Sequence, residues 1–364
     1  MYELLAPGCR PESAIRPANI AYHRIFDTVK ETGGLRFLHG VALESWQGRL
    51  MTCFALNDNA ENSITERLVA RSSDDGGLHW SPLQTVSQQR AHANSHSVFC
   101  VHEGVLWCFG PRFDGLGAPP ITKSGHTRIH FLNLRMEAWR FQNETWQEMG
   151  LVGGDFWPLG APEPMGNGNW LIAGCDEQWR AAFAISHGDD FTQWEIAHPD
   201  IGEEVFTEAG AWVRGNCVFA IMRNQSIVSE GKYCAAITCS YDYGKTFASC
   251  EISNLPMATT KPFCGRFHDG RPYLIFNESI SGKPHDRGRL ILGICNTKEF
   301  CIDQVWLIDE GSHAASGRQL SLSYPYAKQL GNLLYVAYSY ESMPGAGYNQ
   351  NDAMLAVIPV ADLT

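Results

Sequence analysis

No apolar run in this chain approaches the roughly 18 residues that a membrane-spanning helix requires. The first twenty residues carry Glu3, Arg10 and Glu12 where a signal peptide would need an unbroken apolar stretch. A soluble protein is expected, cytoplasmic as the sequence stands, and secreted or periplasmic if a leader has been removed. The chain also lacks any cluster of Lys or Arg, and its formal charge is −11. Neither a nucleic-acid nor a membrane partner is therefore expected, and an anionic ligand would have to be met by a few local arginines. No Pro/Ser-rich linker, charge block or low-complexity tract divides the 364 residues, so a single domain over 1–364 is expected. Cys-x-x-Cys pairs are absent as well. The twelve cysteines lie scattered, several inside apolar runs (Cys53, Cys108, Cys217, Cys264), and read as reduced residues that pack as small apolar groups, which favours a reducing compartment. No cofactor is implied. His126 and His130 could face one way along a strand, but no third ligand is in view, so no metal is expected.

What is present is a texture of many short strands: 35 glycines, 11 tryptophans, and apolar runs that rarely exceed eight residues before Gly, Asn, Asp or Pro interrupts them. Six times a Gly opens such a run, at Gly48, Gly104, Gly168, Gly215, Gly270 and Gly331, with separations of 56, 64, 47, 55 and 61 residues. A second apolar stretch precedes each Gly, so each unit reads as a hairpin with Gly at the turn. A repeat of this length holding several strands fits the blades of a propeller, which bury their sheet faces against one another. Six blades are expected. Residues 1–35 remain, and Asn19–Phe26 would close the ring by pairing with Met354–Val360; if that segment starts a blade of its own, the count is seven.

A second motif runs out of phase with the first. Ser73-x-Asp75-x-Gly77-x-x-Trp80 and Ser240-x-Asp242-x-Gly244-x-Thr246-Phe247 follow one pattern, with fainter echoes at 186–194, around Trp146 and at 296–306. It describes a turn between two outer strands, in which Asp accepts backbone N–H bonds, Gly takes the left-handed position and the aromatic tucks beneath. These aspartates are read as structural. With these Asp boxes beside the hairpin repeat, the sequence resembles the sialidase superfamily from about residue 36 to 360, which implies an all-β fold, a single β-propeller.

The innermost strand of each blade lines the central channel. Seven to nine residues before the hairpin glycines stand His39, His96, Glu208, Lys261 and Tyr324, with Glu163 nearer its own Gly; all are expected at one mouth. Beyond the second strands stand Asp58, Arg112, Asp176, Arg223, Glu278 and Glu341 on the same rim.

The resemblance assigns chemistry to some of these. Sialidases hold a carboxylate with three arginines, use a Tyr made nucleophilic by a Glu, and employ an Asp as acid/base. Glu208 with Met222-Arg223 looks like the segment bearing the Glu and the second Arg. Arg287 or Arg289 resembles the third, and Tyr324 stands where the nucleophile would. The first arginine's Arg-Ile-Pro is absent, the corresponding stretch reading Arg36-Phe-Leu-His39-Gly-Val, and for the acid/base Asp58 lies in the right interval, with Glu61 or Glu66 as replacements. A second resemblance, to propeller enzymes acting on rhamnose–glucuronate linkages such as the ulvan and gum-arabic lyases, rests on Ser95-His96-Ser-Val-Phe99, His126-Thr-Arg128, Phe156-Trp157-Pro158 and Ser253–Met257 leading to Lys261-Pro262. It implies His96 or His126 as base or acid, with Arg128, Arg180 and Arg223 on the carboxylate. The expected function is cleavage of a glycan at an acidic sugar, with an acidic oligosaccharide or polysaccharide as partner. The histidine-based reaction, by β-elimination or hydrolysis, is preferred; the alternatives are a sialidase-like hydrolase and a glycan-binding propeller without catalysis. The expected catalytic set is His39, His96, His126, Glu208 and Tyr324, and the expected substrate-binding set Arg128, Arg180, Arg223, Arg289, Lys261 and Trp157.

Overall fold

The six hairpin glycines all adopt positive φ, between +56° and +91°, a region closed to most side chains. At Gln47-Gly48 and Glu103-Gly104 both turn residues are left-handed, the two-residue geometry whose twist matches the flanking strands. The structure is a computed structural model and describes residues 1–33, 37–58, 60–88, 90–295, 300–312, 319–341 and 351–363. Almost all regular structure in it is antiparallel strand. No helix among the described residues is long and apolar enough to cross a membrane.

Each glycine turn joins the first two strands of a meander. Phe37–Trp46, Arg49–Asn57, Arg67–Ser73 and Gln84–Thr85 form one sheet in chain order, and Phe263–Arg266, Pro272–Asn277, Arg289–Cys295 and Ile302–Glu310 form another. Phe206–Arg214, Cys217–Asn224, Lys232–Ser240 and Glu251–Pro256 build a third. A larger sheet holds two meanders, running from Val98–His102 to Thr145–Gly153 and from Glu163–Pro164 to Asp190–Ala197, joined where Gly153 pairs with Trp194. The last sheet combines both ends of the chain: Leu322–Leu330, Leu333–Glu341 and Asn351–Pro359 take Ala21–Phe26 as their outer strand, with Ala21 opposite Val357 and Phe26 opposite Ala353.

Inner strands meet in a circle. Phe37–Trp46 packs on Val98–His102, Trp157–Pro158 on Val105–Phe113, Trp170–Cys175 on Phe206–Arg214, that strand on Phe263–Arg266, this on Leu322–Leu330, and the last back on Phe37–Trp46. Leu, Ile, Val and aromatic side chains fill the wedges between sheets, and aromatic tips tie neighbouring sheets: Trp46 Nε1 donates to Gly104 O at 2.8 Å, Trp212 Nε1 to Tyr273 O at 3.0 Å and Tyr22 Oη to Ile308 O at 2.7 Å. Each such residue buries a large apolar body while its one polar atom stays paired.

The Asp boxes sit between third and fourth strands. Ser73 Oγ donates to Asp75 Oδ1 at 2.9 Å, and that oxygen also accepts from His79 N at 2.9 Å. Ser240, Asp242 and Thr246 repeat this at 2.8 and 2.9 Å. Trp80 Nε1 donates back to Gly77 O, and Trp194, in the fainter echo at 186–194, does the same to Phe191 O three residues earlier. Asp74, Asp75 and Asp242 lie at the surface, away from the channel. All twelve cysteines are free thiols.

Candidate active site

Three inner strands carry the same irregularity at the same height. The pairing shifts between His39 and Ala42, between Thr207 and Gly210, and between Ser323 and Tyr326. Within these bulges Gly40, Glu208 and Tyr324 have φ of +61°, +42° and +52°. A bulge bends its strand and re-aims a side chain. Glycine adopts this backbone freely, whereas a residue with Cβ loses roughly 1–2 kcal/mol. Two bulky residues held this way, on strands 116 positions apart, have their side chains turned toward each other.

The Tyr324 hydroxyl donates to Glu208 Oε1. Arg223 Nη1 donates to Glu208 Oε2 at 2.6 Å and lies 3.4 Å from Tyr324 Oη. Its guanidinium stands 4.8 Å from the Trp179 ring centre. Arg287, from the next sheet, faces the Tyr324 ring at 5.8 Å and donates to Thr259 O at 3.2 Å. Glu208, Arg223, Arg287 and Tyr324 are all buried, yet they line a cavity of about 330 Å³ together with Glu61, His96, Trp157 and His285. Arg287 Nε and Gln225 Oε1, both at this cavity, are buried without a hydrogen-bond partner among the described residues. Each has hydrogen-bonding capacity to offer a water or a polar ligand.

The charges fix which of the two groups holds the proton at rest. Burial alone would raise the Glu208 carboxyl, but the Arg223 charge and the hydrogen bonds from Tyr324 and Arg223 outweigh it and hold it below the usual value. It is therefore ionised at neutral pH. Burial and the Glu208 charge push the Tyr324 hydroxyl well above its usual range, so the phenol keeps its proton until a reaction draws it onto Glu208. Two imidazoles bracket the phenol: the His39 ring centre is 3.9 Å from that of Tyr324 and the His96 centre 5.0 Å. Asn351 Nδ2 donates to His39 Nδ1 at 3.3 Å, which assigns the proton to Nε2, 4.0 Å from Glu61 Oε1. Burial, reinforced by nearby cations, takes His39 well below its usual value and His96 down to about 3. Both are neutral at physiological pH.

The structure thus brings His39, His96, Glu208, Arg223, Tyr324 and Trp157 into one place. Lys261 lies just beneath: its ammonium donates to Leu159 O at 3.1 Å and Pro325 O at 3.2 Å and so clamps sheets across the channel. The other four expected residues are elsewhere. His126 lies in a loop where its own N–H bonds Thr122 Oγ1, and it does not reach the cavity, whose wall on that side is Ile129 and Phe131. Arg128 Nη2 is taken by Glu204 O at 2.6 Å, and Arg180 Nε pairs with Asp176 at 2.6 Å. Arg289 pairs with Glu278 at 2.6 Å and reaches the carbonyls of Glu12 and Ala14. Of the two arginines proposed for the third position, Arg287 is the one at the cavity. Of the expected rim set, Arg223 alone lines it; Glu341 accepts from Ser321 N instead. Arg36 lies outside the described residues. Asp58 does not line the cavity, whereas Glu61 does. Glu163, the outlier in sequence spacing, lies in a different cavity at the opposite mouth of the channel.

Residues 145–336 match the BNR repeat-like domain family. The chain belongs to that family. No curated protein matches the sequence. Among solved structures, the BNR repeat-like chain is similar to a protein of unknown function from Dyadobacter fermentans (18% identity, TM-score 0.68, covering 93% of this chain and 99% of that one). It is also similar to a mutant of the NanB sialidase from Streptococcus pneumoniae (13%, TM-score 0.64, 93% and 71%). A third is the intramolecular trans-sialidase from Ruminococcus gnavus in complex with oseltamivir carboxylate (10%, TM-score 0.67, 94% and 98%). At such identities the likeness is one of fold, and the fold is the sialidase-type β-propeller.

Among the described residues no cluster of three His, Cys, Asp or Glu side chains is arranged to hold a metal ion. The BNR repeat-like cavity offers instead a phenol, its carboxylate acceptor and two buried guanidinium groups.

Proposed function

We propose that this chain is one six-bladed propeller domain, counting the larger sheet as two blades, and that it hydrolyses the glycosidic bond of an acidic sugar. The observation that carries this reading is the Tyr324–Glu208–Arg223 contact at the head of the cavity. Tyr324 Oη attacks the anomeric carbon while its proton passes to Glu208, and the bond to the leaving oxygen breaks as that oxygen takes a proton from Glu61. Water then attacks the glycosyl–tyrosine bond, giving one proton to Glu61, and Glu208 returns its proton to the phenol. Arg223 and Arg287 hold the substrate carboxylate, with His39 a neutral imidazole against the phenol.

A β-elimination reading keeps one supporting observation, the two neutral imidazoles against Tyr324, since a neutral imidazole can accept a proton. Burial of His39 behind the phenol and the position of His126 outside the cavity favour Tyr324 as the reacting group. The test pairs aryl glycosides of sialic and glucuronic acid with polymeric uronate glycans, following aryl release for hydrolysis and the ultraviolet absorbance of an unsaturated uronate for elimination. Tyr324→Phe is expected to lose about 10³-fold or more in kcat for aryl release, and His96→Ala less. Growth of the unsaturated chromophore, or a Tyr324→Phe variant near wild type, would overturn the hydrolytic reading.

A further inference from the structure

The second cavity, about 440 Å³, is larger than the first and lies at the other end of the channel. It is within the roughly 300–1,000 Å³ typical of small-molecule sites. A layer of side chains separates the two. Tyr326 Oη donates to Phe99 O at 3.0 Å, the Tyr326 ring packs on Phe263 at 4.6 Å, and the Lys261 ammonium stands 5.7 Å from the Phe263 ring with both its carbonyl partners in place. A ligand at one mouth therefore does not reach the other.

The lining combines Glu44, Glu163, Trp170, Arg266, Tyr273 and Lys328. Both cations already have partners. Lys328 Nζ pairs with Glu44 at 2.8 Å, and Arg266 donates to Gly270 O at 2.9 Å and Val213 O at 2.8 Å. Both cations are thereby held to groups of the wall. Tyr273 is only 2% exposed, and its hydroxyl makes no hydrogen bond with a described residue. Its ring lies across Gly265, its partner in the strand pairing, where an added Cβ would collide with the ring and the hydroxyl. A glycine inside a strand that admits a neighbouring group this closely marks a shaped site. Glu163 adds a carboxyl that burial raises to about 7, able to accept from a hydroxyl or to donate to one. Trp170 contributes an aromatic wall.

We propose that this second mouth binds a neutral sugar, its hydroxyls meeting the Tyr273 phenol and the Glu163 carboxyl and its apolar face the Trp170 ring. The inference does not rest on the hydrolytic reading of the first cavity. Titration calorimetry and saturation-transfer NMR with glucose, galactose, fucose and xylose, alongside glucuronate and N-acetylneuraminate, test it on the full chain. A neutral sugar is expected to bind with a millimolar Kd. Tyr273→Phe and Glu163→Gln should each weaken it about fivefold, as loss of one hydrogen bond worth roughly 1 kcal/mol implies. Tyr324→Phe, at the other mouth, should leave it unchanged. Tyr273→Phe removes only an unpaired hydroxyl, so its thermal midpoint should match wild type and guard against misfolding. Absence of neutral-sugar binding, or binding that falls with Tyr324→Phe and ignores Tyr273→Phe and Glu163→Gln, overturns the proposal.

Discussion

Arg223 and Arg287 are both buried and both face Tyr324, yet substitution should separate them. Arg223 supplies the counter-charge of Glu208 at 2.6 Å; its removal strands a buried carboxylate, and Arg223→Ala is expected to lose about 3–5 kcal/mol of stability in urea unfolding. Arg287 hydrogen-bonds the Thr259 carbonyl and the His285 ring, so Arg287→Lys should fold normally. A lysine cannot reproduce a bidentate fork. The KM for an acidic glycoside is expected to rise about tenfold, with kcat less affected, and cleavage of a neutral aryl glycoside should not respond; equal losses on both would take Arg287 off the carboxylate. Much of this residue set was legible in the sequence through motif position, and the choice between Arg287 and Arg289 shows the limit. Arg287 lies just before the strand Arg289–Cys295 and Arg289 opens it, and alternation in the sequence does not distinguish two residues spaced by two. Arg289 is drawn off by Glu278 and by carbonyls of Glu12 and Ala14, more than 270 positions away, which no local pattern encodes.

Hairpins and Asp boxes were readable because glycine spacing and Ser-x-Asp-x-Gly chemistry are local requirements of the turns themselves. The bulges that aim the site were not. Glu208 and Tyr324 adopt left-handed backbone against their own preference, held by pairing on either side, so sequence statistics point away from them; Gly40 alone carries the expected signature. The strand predicts its own test. At Gly40 an added Cβ would collide with the His96 Cβ and Cγ and come within 2.8 Å of its Nδ1, on a backbone that already disfavours a side chain. Gly40→Ala should lower stability by about 2 kcal/mol or more and reduce kcat by moving His96 against Tyr324, both measurable by unfolding and kinetics on one preparation. The Asp boxes should behave oppositely. Asp75→Ala and Asp242→Ala remove acceptors at exposed turns, and each is expected to lower the thermal midpoint by a few degrees while leaving kcat/KM at wild type; a kinetic loss in either would bring these turns into the site.

Across the whole molecule, the buried ionisable groups set a pH dependence whose sign follows from their directions. His39 is far below its usual 6.5, His96 is near 3 and His285, also lowered by burial and by Arg287 and Arg223, is near 4. Each is neutral when folded and takes up a proton when unfolded below 6.5, so falling pH favours unfolding. Glu66 and Glu163 act in the other direction: burial raises them from 4.5 to about 8 and about 7, so the folded chain holds two protons that the unfolded chain releases above 4.5. Their contribution disappears as pH rises through 7 and 8. Between about 4.5 and 6.5 the two sets oppose each other, each proton being worth about 1.4 kcal/mol per pH unit; His92, lowered by burial, adds to the first set, and Glu137, Glu278 and Asp309, raised by burial, add to the second. Above that window the raised carboxyls lower stability with rising pH until Lys261, which burial lowers to about 8, begins to oppose them. Below it they stop compensating, Glu208 loses its own depressed-carboxylate contribution, and the decline steepens. The sharpest loss of stability is therefore expected under pH 4.5. Urea midpoints from pH 4 to 9 test the curve, and single variants test its origin: His96→Gln should flatten the acid limb by about one proton, and Glu66→Gln, which leaves the loop carrying Glu61 with a neutral partner, should flatten the alkaline limb. An acid limb that keeps its slope in His96→Gln would show that this imidazole is charged in the folded chain and that the pocket behind Tyr324 is not neutral.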